Sequence, residues 1–357
     1  MANIKAEIIG LGSFIPENII PNTHFLNWEF YDGKGKIEGK SNEEIIEKFK
    51  AITGIEERRW IDDDMVASDM AVIAAQRAIE DSGINPDELD YIITATNFGD
   101  VKKGSYFSDF MPAIASRIKD RLGLANPKTI AFDIIFGCPG WLQALIMSHQ
   151  FMKAGDAKYA MIIGVEALSR VIDPYDRDAM IFADGAGVAI VKLNTDENGS
   201  GILSYKAVSH AHPQVGLLYN DRSFNKEHDP KARYIRMLGH KIYEYALTEV
   251  PAAMKAAMDE SGYDITDLKK IFIHQANEKM DEQIVKRFYR LYKMQTPENI
   301  MPMNINKLGN SSVATIPTLM DMVRKGELEN HNLEKGDLIL LASVGAGMNI
   351  NAVVMKY

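Results

Sequence analysis

The chain holds a single cysteine, Cys138, in the run FDIIFGCPGW. An apolar stretch precedes it, Gly137 permits a sharp turn, and Pro139 suits the first turn of a helix. A lone cysteine is ordinarily an inert buried residue. A thiol at a helix N-terminus differs, because the unpaired amides there favour negative charge, which predicts a lowered pKa and a larger thiolate fraction. That would prepare a nucleophile without a strong base beside it. Two other residues also sit at element ends. His274 closes an apolar run in IHQAN, where its bland reading is a satisfied core histidine. Asn310 stands in LGNSS at an expected helix start, where asparagine is also a good cap. Together the three make a Cys–His–Asn set, to which nucleophilic attack and oxyanion stabilisation can be assigned.

The remaining motifs fail on spacing. Gly10-Leu11-Gly12 lacks the third glycine of a dinucleotide fingerprint, and Pro16 stands where a helix should receive the pyrophosphate. Gly39-Lys40-Ser41 has Lys34 where a phosphate loop requires glycine. His210 and His212, read as neighbours on one strand face, have no third metal ligand close in sequence, and Asp62-Asp63-Asp64 lacks the rest of a calcium loop. No metal site is expected.

The elements that must position the three residues are written twice. Ala75–Thr96 (AQRAIEDSGINPDELDYIITAT) aligns without a gap on Met254–Gln275 (MKAAMDESGYDITDLKKIFIHQ), at an offset of 179 residues. Each copy reads as a helix stopped at Ser-Gly, an acidic turn, a leucine and a short apolar strand, expected at Tyr91–Thr94 and Ile271–His274. A second correspondence places a buried helix after Gly137-Cys138 and another after Gly309-Asn310, followed by strands at Tyr159–Ile163 and Leu338–Ala342. Two halves, 1–195 and 196–357, related by a pseudo-twofold would bring Cys138 and Asn310 to equivalent helix starts, with His274 nearby. Alternating strands and helices predict a layered α/β architecture. The polar segment 216–235 is expected to cover an entrance.

Composition bounds the rest. The 357 residues are 46% hydrophobic and 25% charged, with net charge −9, which suits a globular chain and disfavours nucleic-acid binding. One cysteine excludes an internal disulfide. No apolar run approaches the ~20 residues of a membrane span, and the first 22 residues, with Glu7 and Pro16, do not read as a secretion signal, so a cytoplasmic location is expected.

The ordered segments GLGSFIPEN, TGIEERR (Thr53–Arg59), GCPG, GVEALSRVIDPYDRDAMIFADGAG (Gly164–Gly187), HQAN, GNSSVATIP and GAG (Gly345–Gly347) make the chain resemble, from Ile9 to Tyr357, the β-ketoacyl-acyl carrier protein synthase III family of thiolase-fold condensing enzymes. The resemblance implies a thiolase-like fold of two pseudo-twofold halves in α/β/α/β/α layers, and a homodimer. It implies Cys138 as acyl acceptor, His274 and Asn310 as the decarboxylation pair, and the backbone amides of Cys138 and Ala346 as oxyanion donors. The family usually has glycine at the position of Ala346. The implied substrates are acyl-CoA and acyl carrier protein thioesters, with no cofactor and no membrane insertion. Arg177 matches a coenzyme A-binding arginine, and Lys279, Lys286 and Arg287 match basic positions of the helix that docks the acidic carrier. Lys48 and Ile52 replace the tryptophan and arginine that usually grip the coenzyme. The function expected is condensation of a Cys138-bound acyl group with malonyl-acyl carrier protein, with loss of carbon dioxide, in fatty acid initiation or a related pathway. The alternatives are a secondary-metabolite condensing enzyme, an acyltransferase using Cys138 with a longer donor, and a non-catalytic partner subunit.

Overall fold

The computed structural model describes residues 4–357. Nine strands build two sheets: β1 (Lys5–Phe14), β2 (Tyr91–Ala95), β3 (Ile130–Ile134), β4 (Tyr159–Ala167), β5 (Asp184–Asn194), β6 (Gly201–Ser209), β7 (Leu268–Ile273), β8 (Leu338–Gly345) and β9 (Asn349–Lys356). The first sheet has the order β1-β5-β4-β2-β3 and the second β6-β9-β8-β7. The pairing senses match. β1 runs antiparallel to β5 as β6 does to β9, and β4 is antiparallel to β5 as β8 is to β9. β2 is parallel to β4 as β7 is to β8. Among the described residues the second sheet has no strand equivalent to β3; there the Ile271 amide donates to the Ile300 carbonyl instead.

The main helices that cover and separate these sheets are α1 (Ala67–Ser82), α2 (Gly140–Ala154), α3 (Gly239–Ser261), α4 (Glu278–Leu291) and α5 (Thr315–Arg324), with the short helix Ile114–Arg121 beside α1. Side chains alternate across each strand, so every central strand buries two faces and reads as a continuous apolar run. Ile339 and Leu341 of β8 join Leu142 and Leu145 of α2 and Leu319 and Met320 of α5 in one cluster, which also takes Ile93, Ile162 and Val191 from the first sheet. Their neighbours Leu338, Leu340 and Ala342 face the other way, onto α3 and α4. Ile92, Ile163 and Val188 face α1. The layers are therefore α1, first sheet, α2 with α5, second sheet, α3 with α4.

The repeat seen in the sequence folds twice in the same way. α1 and α3 both stop at a left-handed glycine, Gly83 at φ +64° and Gly262 at φ +80°. One-turn 3-10 segments follow at Pro86–Glu88 and Ile265–Asp267, then the buried leucines Leu89 and Leu268. The strands run longer than expected at β4 and β8, because both stay buried to their ends. One expectation is corrected: the strand ends at Ser209, and the chain leaves it through a kinked turn at Ala211–Gln214, so His210 and His212 do not share a strand face.

Candidate active site

α2 and α5, the two central helices, begin near one another in space. Cys138 occupies the turn between β3 and α2. Gly137, at φ +68°, makes that turn, and a Cβ there would lie 2.6 Å from the Ala346 amide nitrogen. A Cβ on Gly345 would lie 2.4 Å from the Cys138 nitrogen. The two backbone strands therefore touch, and the amides of Cys138 and Ala346 sit side by side. Ala346 opens a one-turn 3-10 segment, so its N–H has no carbonyl behind it in that turn. The left-handed conformation falls on Gly347, at φ +78°, and on Met348, at φ +50°, while Ala346 does not need it. An alanine at 346 thus keeps the amide without backbone strain.

Ser312 joins the three residues read from the sequence. Its hydroxyl donates to the Cys138 sulfur at 3.4 Å. Its amide donates to Asn310 Oδ1 at 2.8 Å, which turns the Asn310 amide group outward as a donor. Its carbonyl accepts from the Thr315 hydroxyl at 3.0 Å, and Thr315 Oγ1 lies 2.7 Å from His274 Nδ1. Ser312 holds φ +53°, an uncommon conformation for a residue with a side chain, and one that persists where the surroundings over-determine it.

Thr315 has one hydroxyl proton and two candidate acceptors. Given to Ser312, it leaves His274 protonated at Nδ1 with a bare Nε2; given to His274, it leaves Nε2 carrying the hydrogen. Burial lowers the His274 pKa to about 4, so the imidazole is neutral at neutral pH.

The thiol behaves against expectation. Its pKa is pushed up to about 11, chiefly by burial and further by the charge of Glu166, with the Ser312 hydrogen bond pulling the other way. The helix end does not prevail for a local reason. α2 starts only at Gly140, Pro139 has no N–H, and the Gly140 amide is spent on the Gly137 carbonyl. The one backbone amide that favours the thiolate is that of Cys138 itself, and burial outweighs it.

A cavity of about 380 Å³ opens onto Cys138, Asn310, Ser312, Ala346 and Gly347. Its other walls include Phe98, Phe136, Leu168, Phe182, Leu218 and Ile235, with Asn97, Tyr219, Asn220 and Asn349 among the polar groups; no charged side chain lines it. His274 is buried and is not itself a lining residue; it is tied to the site through Thr315 and Ser312. Leu218 and Ile235 belong to a hairpin, Leu218–Asp221 against Tyr234–Met237, formed by the segment expected to cover an entrance. Arg236, buried, pairs with Asp173 and Asp176 and pins that hairpin down. A second cavity, of about 520 Å³, is lined by Pro16, Arg59, Asn304, Lys307 and Met322 among others and contains none of the candidate residues.

The outlying candidates are not gathered here. Arg177 is half exposed, lies 3.8 Å from Asp178, and does not line the cavity. Lys279, Lys286 and Arg287 are exposed on α4, but Arg287 donates to the Leu247 carbonyl and so partly serves to hold α4 on α3. Sequence reasoning missed Ser312, Thr315, Asn97 and Glu166. The only available signal for Glu166 was a charged residue inside an otherwise apolar strand, YAMIIGVEA. Among the described residues no cluster of three or more His, Cys, Asp or Glu could hold a metal ion, and no helix is long and apolar enough to cross a membrane.

Comparison with known proteins gives the family. Residues 132–211 match the 3-oxoacyl-[acyl-carrier-protein (ACP)] synthase III model and residues 258–357 its C-terminal counterpart. The chain is 30% identical to a beta-ketoacyl-[acyl-carrier-protein] synthase III of Staphylococcus epidermidis over 351 residues, 98% of each protein. It is 31% identical to the protein of that name from Staphylococcus aureus over the same length, again 98% of each. Its fold superposes with TM-score 0.80 on the crystal structure of the 3-oxoacyl-[acyl-carrier-protein] synthase III of Aquifex aeolicus, at 27% identity, covering 99% of this chain and 100% of that one. It superposes with TM-score 0.78 on the priming beta-ketosynthase of the R1128 polyketide pathway, at 24% identity, covering 98% of this chain and 96% of that one, a likeness of fold. The fold is thiolase-like, and the chain belongs to the 3-oxoacyl-[acyl-carrier-protein] synthase III family.

Proposed function

We propose that the chain is an acyltransferase-type condensing enzyme that joins an acyl group carried on Cys138 to a malonyl thioester, releasing carbon dioxide and a β-ketoacyl thioester. The observation that carries this reading is Ser312, hydrogen-bonded to Cys138 and Asn310 and linked through Thr315 to His274. In the first half-reaction the Cys138 sulfur attacks an acyl thioester. The donor's sulfur leaves and takes the thiol proton, so no separate base is consumed. In the second, the malonyl thioester loses carbon dioxide, and its electron pair passes into an enolate. Asn310, which lines the cavity, donates to the enolate oxygen through its outward amide, and neutral His274, outside the lining, is assigned the second donation, through Nε2–H when Thr315 donates to Nδ1. The enolate carbon then attacks the Cys138 thioester. The tetrahedral oxygen is received by the amides of Cys138 and Ala346, the carbon–sulfur bond breaks, and the departing sulfur takes up one proton from water. The sum consumes the two thioesters and one proton from water and releases carbon dioxide and the donor's thiol.

The uncharged cavity fits an apolar acyl group. We assign malonyl-acyl carrier protein as the second substrate, docked on α4 by Lys279 and Lys286, with acyl-CoA or an acyl carrier as donor, and a homodimer acting in the cytoplasm. Arg177, standing off the cavity, would meet only the distal part of a donor. Intact-mass measurement after incubation with acyl thioesters tests the reading: an acyl adduct is expected on the wild type and absent from Cys138→Ala. A wild type that takes up no acyl mass would contradict it.

A further inference from the structure

Glu166 is the sole charged side chain of β4 and is fully buried. Its Oε1 accepts from the Asn97 amide at 2.7 Å and from Asn97 Nδ2 at 2.6 Å. Its Oε2 makes no hydrogen bond, with the uncharged Thr96 hydroxyl as the other polar group beside the carboxyl. A buried carboxyl without full pairing costs stability, so its retention calls for a role. The far side of Asn97 supplies one. Asn97 Oδ1 accepts from the Gly137 amide at 2.9 Å, and Nδ2 also reaches Ser312 Oγ at 3.4 Å. Gly137 is the residue before Cys138, wedged against Ala346.

We propose that Glu166 is a positioning residue for Cys138: it fixes which way the Asn97 amide faces, and Asn97 in turn fixes the Gly137 turn that presents the Cys138 sulfur and amide beside the Ala346 amide. An asparagine amide can flip. Turned over, Nδ2 would meet the Gly137 N–H, donor against donor, and the turn would lose its anchor. The double acceptance at Glu166 Oε1 forbids that flip. This rests on the acyl-transfer reading of Cys138.

The charge state matters as well. Burial pushes Glu166 up to about 8, so the carboxyl is neutral at neutral pH and places no negative charge near a sulfur that must turn anionic. The other titratable groups facing it are Asp184, on the neighbouring strand β5, and Cys138 itself. Ionised Glu166 raises the thiol pKa. Replacing it by a neutral isostere therefore moves the thiol downward.

Two readouts on Glu166→Gln, Glu166→Ala and Asn97→Ala test this: the rate of Cys138 acylation at pH 7, and the pH midpoint of Cys138 alkylation by iodoacetamide, which needs no acyl thioester. The alanine variants are expected to acylate ~10²-fold more slowly, the scale of a misplaced reacting group. Glu166→Gln, whose Oε1 still accepts from Asn97, is expected to restore most of that rate over Glu166→Ala and to lower the alkylation midpoint. Wild-type acylation in Asn97→Ala, or an unmoved midpoint in Glu166→Gln, would overturn the proposal even if Glu166→Ala fails to fold. Absent acylation in the wild type would instead count against the reaction, while the alkylation midpoint still reports on Glu166.

Discussion

At the scale of single residues, the site depends on where a few protons lie. His274 is neutral because burial lowers its pKa to about 4, so its usefulness as a donor turns on Thr315. Thr315→Val removes that hydroxyl at nearly constant shape, and condensation is expected to fall roughly tenfold to a hundredfold, the cost of an unmade buried hydrogen bond. Acylation of Cys138 should persist, and Thr315→Ser should recover the rate. Separate assays of acylation and of carbon dioxide release check this split; equal loss of both would show that Thr315 merely holds the fold. Cys138, His274 and Asn310 could be singled out as candidates in the sequence because each is a chemically distinctive residue at an element end. Ser312 and Asn97 could not, since their contacts with Cys138 and Glu166 span 174 and 69 residues. The raised thiol pKa was equally hidden. Helix position can be read from a sequence, but the burial that outweighs it cannot.

At the scale of elements, two pieces bear the load. The turn at Gly137 brings β3 into α2 at φ +68° against the backbone of Ala346. Gly137→Ala is expected to destabilise the protein by about 1–3 kcal/mol and to abolish acylation, because a Cβ has no room there. Thermal unfolding and adduct mass measure the two effects. Helix α4 is the second piece. The sequence placed three basic docking residues on it, yet Arg287 is tied to the Leu247 carbonyl, while Lys279 and Lys286 make no ion pair among the described residues. Lys279→Glu with Lys286→Glu should therefore raise the KM for malonyl carrier at low salt while leaving a small malonyl thioester unaffected. A KM unchanged for the carrier would remove α4 from the docking surface.

At the scale of the whole molecule, duplication explains the geometry. Two sheets of matching order and pairing sense enclose α2 and α5, so the starts of those helices approach each other across the centre. The gapless repeat at an offset of 179 residues made this visible in advance, since the same helix stop, turn and leucine recur. What the repeat could not reveal was the asymmetry: among the described residues the second sheet lacks the partner of β3, and the hairpin pinned by Arg236 walls only one side of the cavity. The central claim is that Cys138 and Asn310 act in succession within this shared space. Intact-mass monitoring of acylated wild type and acylated Asn310→Ala after adding malonyl carrier tests it most directly. The wild type should shed its acyl mass as product forms, and Asn310→Ala should hold it ~10²–10³-fold longer. Discharge of Asn310→Ala at the wild-type rate would contradict the account.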